Sequence, residues 1–475
     1  MDLSNYLLMK HELSLIVVFL LFIFYDLFAS EKAKKYYFPV ACLLFLAHTI
    51  AGFCFGMKEG QSFAGMYVTG PAYVTIKNIL NIGVLLIFLQ ANSWLKEKES
   101  IEKRGEFFML TVLTLIGMNL MISSGNFLLF FIGLETASLP IAALVAFDKY
   151  KQLSAEAGAK YIFNAVFSSA LLAFGLSFLY GACGTLYYAD LAPLVNSSPL
   201  IMMAMVFILS GLFFKISLVP FHLWAPDTYQ GAPTNVTLYL STISKGAAVF
   251  ALMTILYVVF PAVSSIWKDI IWVVILLTIT IGNLFALRQK NMKRFLAFSS
   301  VSQAGYIMLS VFTGTKLGMA ATIYYIFVYV FSNLAAFGVI TAIENKTGKI
   351  SMDDYNGLYK TNPKLSLAMM VAMFSLGGIP FTAGFFSKQF VFLAAMEQHM
   401  TILVFLAFLN TVISLYYYLL VVKAMFIKNT DSPLETVKTD GYLKISLVLS
   451  MVGIMLIGLI SYFYQYIDAA SFGIK

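Results

Sequence analysis

Seven lysines stand inside apolar runs of this sequence rather than between them: Lys77, Lys160, Lys215, Lys245, Lys388, Lys423 and Lys444. Lys77, Lys423 and Lys444 lie within a turn or two of a run's end, where a long side chain snorkels to the interface. These three read as structural. Lys160 lies a turn inside its run, and Lys215, Lys245 and Lys388 lie deeper. A lysine at the centre of a bilayer costs about 2.5–3.5 kcal/mol on insertion scales. Four would cost on the order of 10 kcal/mol, comparable to the net stability of a whole domain. Structural ion pairs account for one or two of them at most, because Glu135 reads as the single acid in mid-run. The chemistry that four buried ammonium groups and one carboxylate perform is proton transfer. A buried lysine holds or releases its proton according to whether a carboxylate is close. The expected partner of Glu135 is Lys160 or Lys215. Glu156 stands four residues before Lys160 and shares its helix face. Asp148 and Asp227 fall at run ends, where a capping role is expected.

The elements that must position these residues are transmembrane helices. Of 475 residues, 60% are hydrophobic and 11% charged, against about 25% charged in a soluble chain. Apolar runs give 14 candidate spans: 11–29, 37–56, 72–92, 106–123, 126–148, 156–181, 200–220, 233–260, 269–287, 294–313, 317–343, 364–395, 401–426 and 442–466. Each can hold the roughly 20 residues that a bilayer requires. The first run lacks a small-residue cleavage site and reads as a retained helix, not a signal peptide. Two places resist a simple count. Pro220 to Pro233 contains three prolines, and Gly377, Gly378 and Pro380 interrupt the run at 364–395. Pro220 and Pro380 break helices, and broken helices at membrane depth line ion sites in transporters. Each break falls within nine residues of a buried lysine, Lys215 or Lys388.

The charge pattern orients the chain. Loops after odd-numbered spans carry 19 Lys and Arg, and the termini with the remaining loops carry 5. Positive loops face the cytoplasm, so both termini are expected on the periplasmic side of a bacterial inner membrane. The formal charge of +8 is spread over short loops and forms no basic domain, which excludes nucleic-acid binding. Cys42, Cys54 and Cys183 are far apart, as are the four histidines. No metal-binding or cofactor-binding set is expected in this chain.

Lys215-Ile-Ser-Leu-Val-Pro-Phe-His-Leu-Trp-Ala-Pro-Asp-Thr-Tyr-Gln-Gly-Ala-Pro-Thr234, followed by Ser241 to Lys245, closely resembles subunit N of respiratory complex I, the NADH–quinone oxidoreductase. So do the stretches from Gly282, from Asn291 to Tyr306, and from Gly378 to Lys388. The similarity runs from about residue 105 to residue 425. It implies an all-α integral membrane fold of about 14 helices with two inverted five-helix repeats, spans 4–8 and 9–13, each with one broken helix. The single polytopic domain 1–475 then divides into an N-terminal three-helix part (1–105), a first antiporter-like repeat (106–260), a second (269–426) and a C-terminal helix (442–466). The resemblance further implies an order for the relay. Glu135 is the charge-switch acid and Lys160 its modulating lysine. Lys215 is the central lysine, Lys245 the connecting one, and Lys388 the lysine towards the outlet half.

Two departures from the larger antiporter-like subunits favour subunit N. Those subunits carry histidine in span 11, where this chain offers Tyr329, Ser332 and Asn333, and the long lateral helix of subunit L is missing. The expected function is proton translocation within a redox-driven translocase, with no redox chemistry in this chain. FMN, iron–sulfur clusters and quinone are then held by other subunits, and subunits M, J and K are the expected membrane neighbours. The rival reading is a cation/proton antiporter subunit of the Mrp type, which shares the fold and the buried charges. Purification of the assembly separates them: flavin and iron–sulfur subunits should co-purify. Their absence alongside six or seven small membrane subunits would instead favour the antiporter.

Overall fold

The computed structural model describes residues 4–97, 100–430 and 433–474. Lys98 and Lys475, two of the charges counted above, lie outside them. The chain opens with α1 (Lys10–Phe28), α2 (Tyr37–Cys54) and α3 (Pro71–Ala91). Then come α4 (Arg104–Ile122), α5 (Phe127–Val145), α6 (Gln152–Cys183), α7 (Pro199–Ile216), α8 (Trp224–Gly231) and α9 (Thr234–Val258). The next group is α10 (Ser264–Ala286), α11 (Met292–Val311), α12 (Lys316–Thr347), α13 (Pro363–Gly377), α14 (Ala383–Glu397) and α15 (Thr401–Phe426). The last two are α16 (Gly441–Leu459) and the short α17 (Tyr462–Ala470).

Among the described residues, twelve helical segments are long and apolar enough to cross a membrane. The expected count of 14 differs for two physical reasons. The run at 294–313 is α11, kept polar by Lys293, Arg294, Ser299, Ser300, Ser302 and Gln303, and it is buried by its neighbours almost throughout. The run at 364–395 is two helices of 15 residues, α13 and α14, each too short to span alone. The last run also divides, since the chain turns extended at Ile460 before α17. A two-stranded hairpin, β1 (Gly60–Ser62) and β2 (Tyr67–Thr69), was not expected. Its register pairs Gly60 with Thr69 and Ser62 with Tyr67.

The core is α12, whose apolar stretch is wholly buried. Outer helices turn large apolar side chains such as Phe28, Phe163 and Ile402 outward, which is the surface a hydrocarbon solvent requires. The N-terminal α1 packs on α2 and α4, and α16 packs on α3 and α12.

Local signals recur at matched places. α5 and α11 start on asparagine caps: Asn126 accepts from the Leu128 amide at 2.7 Å and Asn291 from the Lys293 amide at 3.0 Å. These side chains satisfy amides that a helix start leaves free. α6 and α12 are each 32 residues long and stop on left-handed glycines, Gly184 and Gly348. Just beyond them, Tyr187 bridges back to Asn126 and Ser351 to Asn291. The two breaks also share a capping pattern. Leu218 donates to the Phe213 carbonyl and Ser217 to Phe214; Ile379 donates to Phe374 and Gly378 to Ser375. Both are paired 6→1 and 5→2 closures around a left-handed residue, Ser217 or Gly378.

The second break depends on Gly384, where a Cβ would overlap the carbonyl oxygen of Ser375. Gly384→Ala should therefore destabilise the protein by about 1–3 kcal/mol through overpacking. Gly181→Ala, with nothing within 4 Å of its Cβ, should be neutral or slightly stabilising. Thermal unfolding of the two variants in detergent tests the contrast.

Candidate functional site

Lys215 lies in the last turn of α7 at the first break. Its ammonium donates to Ser138 Oγ at 2.8 Å and Tyr161 Oη at 3.3 Å. Ser138 stands three residues after Glu135 on α5, on the same helix face. Glu135 makes no ion pair with Lys215 or Lys160, and its buried Oε1 has no hydrogen-bond partner. A half-buried carboxylate thus stands uncommitted beside a lysine held by neutral hydroxyls.

Lys245 begins the α-helical part of α9, directly after a π-helical turn at Leu240–Ser244. It donates to Ser300 Oγ at 2.8 Å and lies 5.7 Å from the Tyr229 ring centroid. The wider turn inserts one residue into the ladder, as π-bulges at functional sites do. Lys388 on α14 crosses the second break and donates to the Gly377 carbonyl at 3.0 Å. It also sits 5.0 Å from the Tyr306 ring. The carbonyl that the helix break frees is thereby the acceptor that holds the cation. At the first break, Trp224 Nε1 donates at 3.0 Å to the Phe214 carbonyl, which also accepts from the Ser217 amide. Pro220 is exposed in the 217–223 link, and Pro380 lies in the link between α13 and α14.

Between Lys245 and Lys388 runs a series of polar side chains that sequence reasoning missed. Ser299 and Ser300 are adjacent on α11, and Ser299 shares a 2.5 Å hydrogen bond with Tyr418. Gln303, one turn on, donates to Tyr418 at 2.9 Å and to the Leu376 carbonyl at 3.0 Å. It also accepts from the Tyr325 hydroxyl. Gly377, which holds Lys388, follows Leu376. The expected span-11 hydroxyls lie beside this series: Ser332 bonds Ser375 at 2.7 Å, and Tyr329 Oη is buried without a partner. The polar content of α11 was the available signal, since an amide and four serines in one membrane helix are expensive without partners.

Three expectations are corrected. Lys160 is not buried: its side chain is 44% exposed and pairs with Glu156 at 2.7 Å and Asp227 at 2.8 Å. Asp227 makes no capping bond; it also binds Arg294 at 2.5 Å and so ties α6 and α8 to α11. Lys77 does not snorkel, because six residues into α3 it is still fully buried in an ion pair with Glu12 at 2.5 Å. Glu135 is therefore not the only acid inside the bundle. Lys423 and Lys444 are exposed at helix surfaces. Among the described residues, no group of three or more His, Cys, Asp or Glu is arranged to hold a metal ion.

The model of the family described as NADH:quinone oxidoreductase/Mrp antiporter, TM, matches residues 124–414. That stretch contains both breaks and all five candidate relay residues, and it defines an antiporter-like membrane protein. NADH-quinone oxidoreductase subunit N of Phocaeicola vulgatus is 53% identical over 469 residues, covering 98% of this chain and 99% of the relative. Its counterpart from Azobacteroides pseudotrichonymphae is 51% identical over 477 residues, covering 100% and 99%. The chain belongs to the family of NADH-quinone oxidoreductase subunit N. Among solved structures, a chain of respiratory complex I from Thermus thermophilus is similar with a TM-score of 0.79 at 28% identity, over 94% of this chain and 97% of that one. A chain of the Mrp complex from Dietzia shares the fold, with a TM-score of 0.85 at 21% identity over 99% and 97%.

Gln303→Leu keeps the side chain's bulk and removes four-way hydrogen bonding between α11, α12, α13 and α15. The variant should assemble, yet pump protons more slowly per quinone reduced, by a factor on the order of ten or more. Dye-monitored acidification in vesicles, normalised to quinone reductase activity, measures this.

Proposed function

We propose that this chain translocates protons as a membrane subunit of a redox-driven NADH–quinone oxidoreductase. The observation that carries the reading is the site at the first break. Lys215 is buried and held by Ser138 and Tyr161, while Glu135, one turn away, keeps an unpartnered oxygen. Two unit charges about 4 Å apart interact by about 4 kcal/mol at an effective dielectric of about 20. Moving Glu135 towards or away from Lys215 thus changes a proton-binding equilibrium by about a thousandfold.

In this reading Lys160 tunes the acid from the cytoplasmic mouth, where Asp227 and Glu156 hold it. Protons pass from Lys215 to Lys245 and then along Ser300, Ser299, Tyr418 and Gln303 to Lys388. The break at Pro220 supplies the flexible link beside Lys215, and that at Pro380 the one beside Lys388. Lysine relays suit protons and not sodium, because an ammonium cannot coordinate a metal cation.

The matched caps, the paired 32-residue helices and the like breaks support two five-helix repeats, α4–α9 and α10–α15, with each broken pair counted as one span. An odd number of crossings makes the second repeat run opposite to the first. Fourteen spans then place both termini on one side, which the loop charges make periplasmic in a bacterial inner membrane. FMN, iron–sulfur clusters and quinone belong to other subunits, and antiporter-like subunit M with small subunits J and K are the proposed neighbours in the bilayer. The two full-length relatives above 50% identity support this reading over an Mrp-type antiporter.

Lys215→Ala and Glu135→Ala should each assemble and lower redox-coupled proton pumping, on the order of 10²-fold for a removed acid–base group. Normal pumping in either assembled variant sinks the relay.

A further inference from the structure

We propose that Glu12 and Lys77, with the polar groups around them, form a second proton-binding site, at the end of the bundle where the N-terminus lies. The site rests on the reading of this chain as a proton translocator. It is built by α1, α3, the end of α4 and the hairpin, and it shares no residue with the relay described above.

The centre is a closed cluster. Lys77 Nζ donates to Glu12 Oε1 at 2.5 Å, to Tyr67 Oη at 3.2 Å and to Ser123 Oγ at 2.6 Å. Tyr67 Oη donates in turn to Glu12 Oε2 at 2.8 Å. Both charged side chains are 0% exposed. A structural ion pair would end there, because every proton of the ammonium has an acceptor.

The surroundings do not end there. His11, beside Glu12 on α1, is buried with neither ring nitrogen bonded. His48 on α2 bonds Ser14 through Nδ1 at 2.9 Å and leaves Nε2 free of any partner. Asn78 Oδ1, both amide atoms of Asn81 and both of Asn119 are likewise buried and unpartnered. Asn81 stands one turn beyond Lys77 on α3, and Asn119 one turn before Ser123 on α4. Gly52 on α2 makes the room, since a Cβ there would lie 2.6 Å from Asn78 Oδ1 and 3.2 Å from His11. Each such group is costly when buried unbonded. Within a bilayer, water or a moving proton is what satisfies them. The titratable groups around the pair are Tyr67 from β2 and His11 from α1, with His48 from α2 next to His11.

The hairpin separates this compartment from a cavity of about 960 Å³ whose wall includes Glu59, Val68, Ser124, Tyr187 and Asp190. Side chains alternate along a strand, so Val68 faces the cavity while its neighbour Tyr67 bonds Glu12. Ser123 holds Lys77 and Ser124 lines the cavity. One residue's thickness divides the pair from an opening that carries two carboxylates. Proton uptake is balanced simply. A proton arriving through Tyr67 or water binds the Glu12 carboxylate, breaking its ion pair and leaving one net positive charge on Lys77. Release restores the neutral pair.

The test uses the assembled complex in vesicles, with Lys215→Ala alongside. Glu12→Gln/Lys77→Met removes both charges at similar volume, an exchange that is often neutral or stabilising for buried pairs. The expected result is an assembled complex in which the number of protons pumped for each quinone it reduces falls about twofold or more. Infrared difference spectra of the wild type should show a carboxylic acid band on turnover that Glu12→Gln lacks. Wild-type pumping by the double variant, or its failure to assemble, would show that the pair only holds helices and would overturn the proposal. If the double variant pumps normally while Lys215→Ala does not, this site alone fails. Normal pumping by Lys215→Ala is a failure of the relay itself.

Discussion

A cation inside a bilayer must be met by an acceptor that the protein supplies, and much of this fold is arranged around that requirement. The four fully buried lysines within expected runs meet it in four ways. Lys77 faces a carboxylate, Lys215 two hydroxyls, Lys245 a serine and an aromatic ring, and Lys388 a backbone carbonyl. The last solution explains why a helix is broken where it is. An intact helix would spend the Gly377 carbonyl on its own ladder, and Lys388 would then lack its acceptor. The break is therefore part of how the charge is held.

The same requirement accounts for what was legible in the sequence. Lys215, Lys245 and Lys388 stood out because lysine in a long apolar run has no cheap explanation, and the breaks stood out because proline and glycine punctuate any helix. Acceptors were far less visible. Ser138, Tyr161, Ser300 and Tyr418 are ordinary residues for a membrane helix, and only their meeting across helices gives them meaning. Lys77 was misread because its distance from the helix start allowed snorkelling. Its partner Glu12 stands at the start of the first run, and only the packing of α1 against α4 and the hairpin encloses both. Lys160 was misread in the other direction, since position along a helix does not reveal which face is turned outward. The π turn before Lys245 and the hairpin have no periodic signal, and the sequence carries none for them.

Ion pairs around Asp227 join what the matched helices divide. Asp227 on α8 binds Lys160 of α6 and Arg294 of α11, so one carboxylate links groups on either side of the α9–α10 boundary. Close by, Lys293 binds Glu344 at 3.1 Å and the Ala232 carbonyl at 3.0 Å, and Glu344 accepts from Thr234. The Asp227 pairs are partly exposed, so each contributes little to stability. Their value lies in position. Beside the first break, Asp227 is bonded at once to Lys160 and to the start of α11, the helix that carries Ser299, Ser300 and Gln303.

A difference in charge balance separates the two ends of the bundle. The Glu12–Lys77 cluster is neutral as a pair, whereas Lys215, Lys245 and Lys388 are each surrounded by neutral acceptors. A protonated lysine in the central series has no carboxylate bonded to it, and the three repel one another through a medium of low dielectric. Such a series is most stable with its charges spaced apart, so the loading of one lysine disfavours the loading of the next. In the proposed relay, hydroxyls and an amide between Lys245 and Lys388 would let charge pass without adding charge of their own. A carboxylate there would trap a proton-bearing lysine in a pair like that of Lys77. Among the described residues no acid bonds to that series, which is as much a feature of the proposed relay as the lysines themselves.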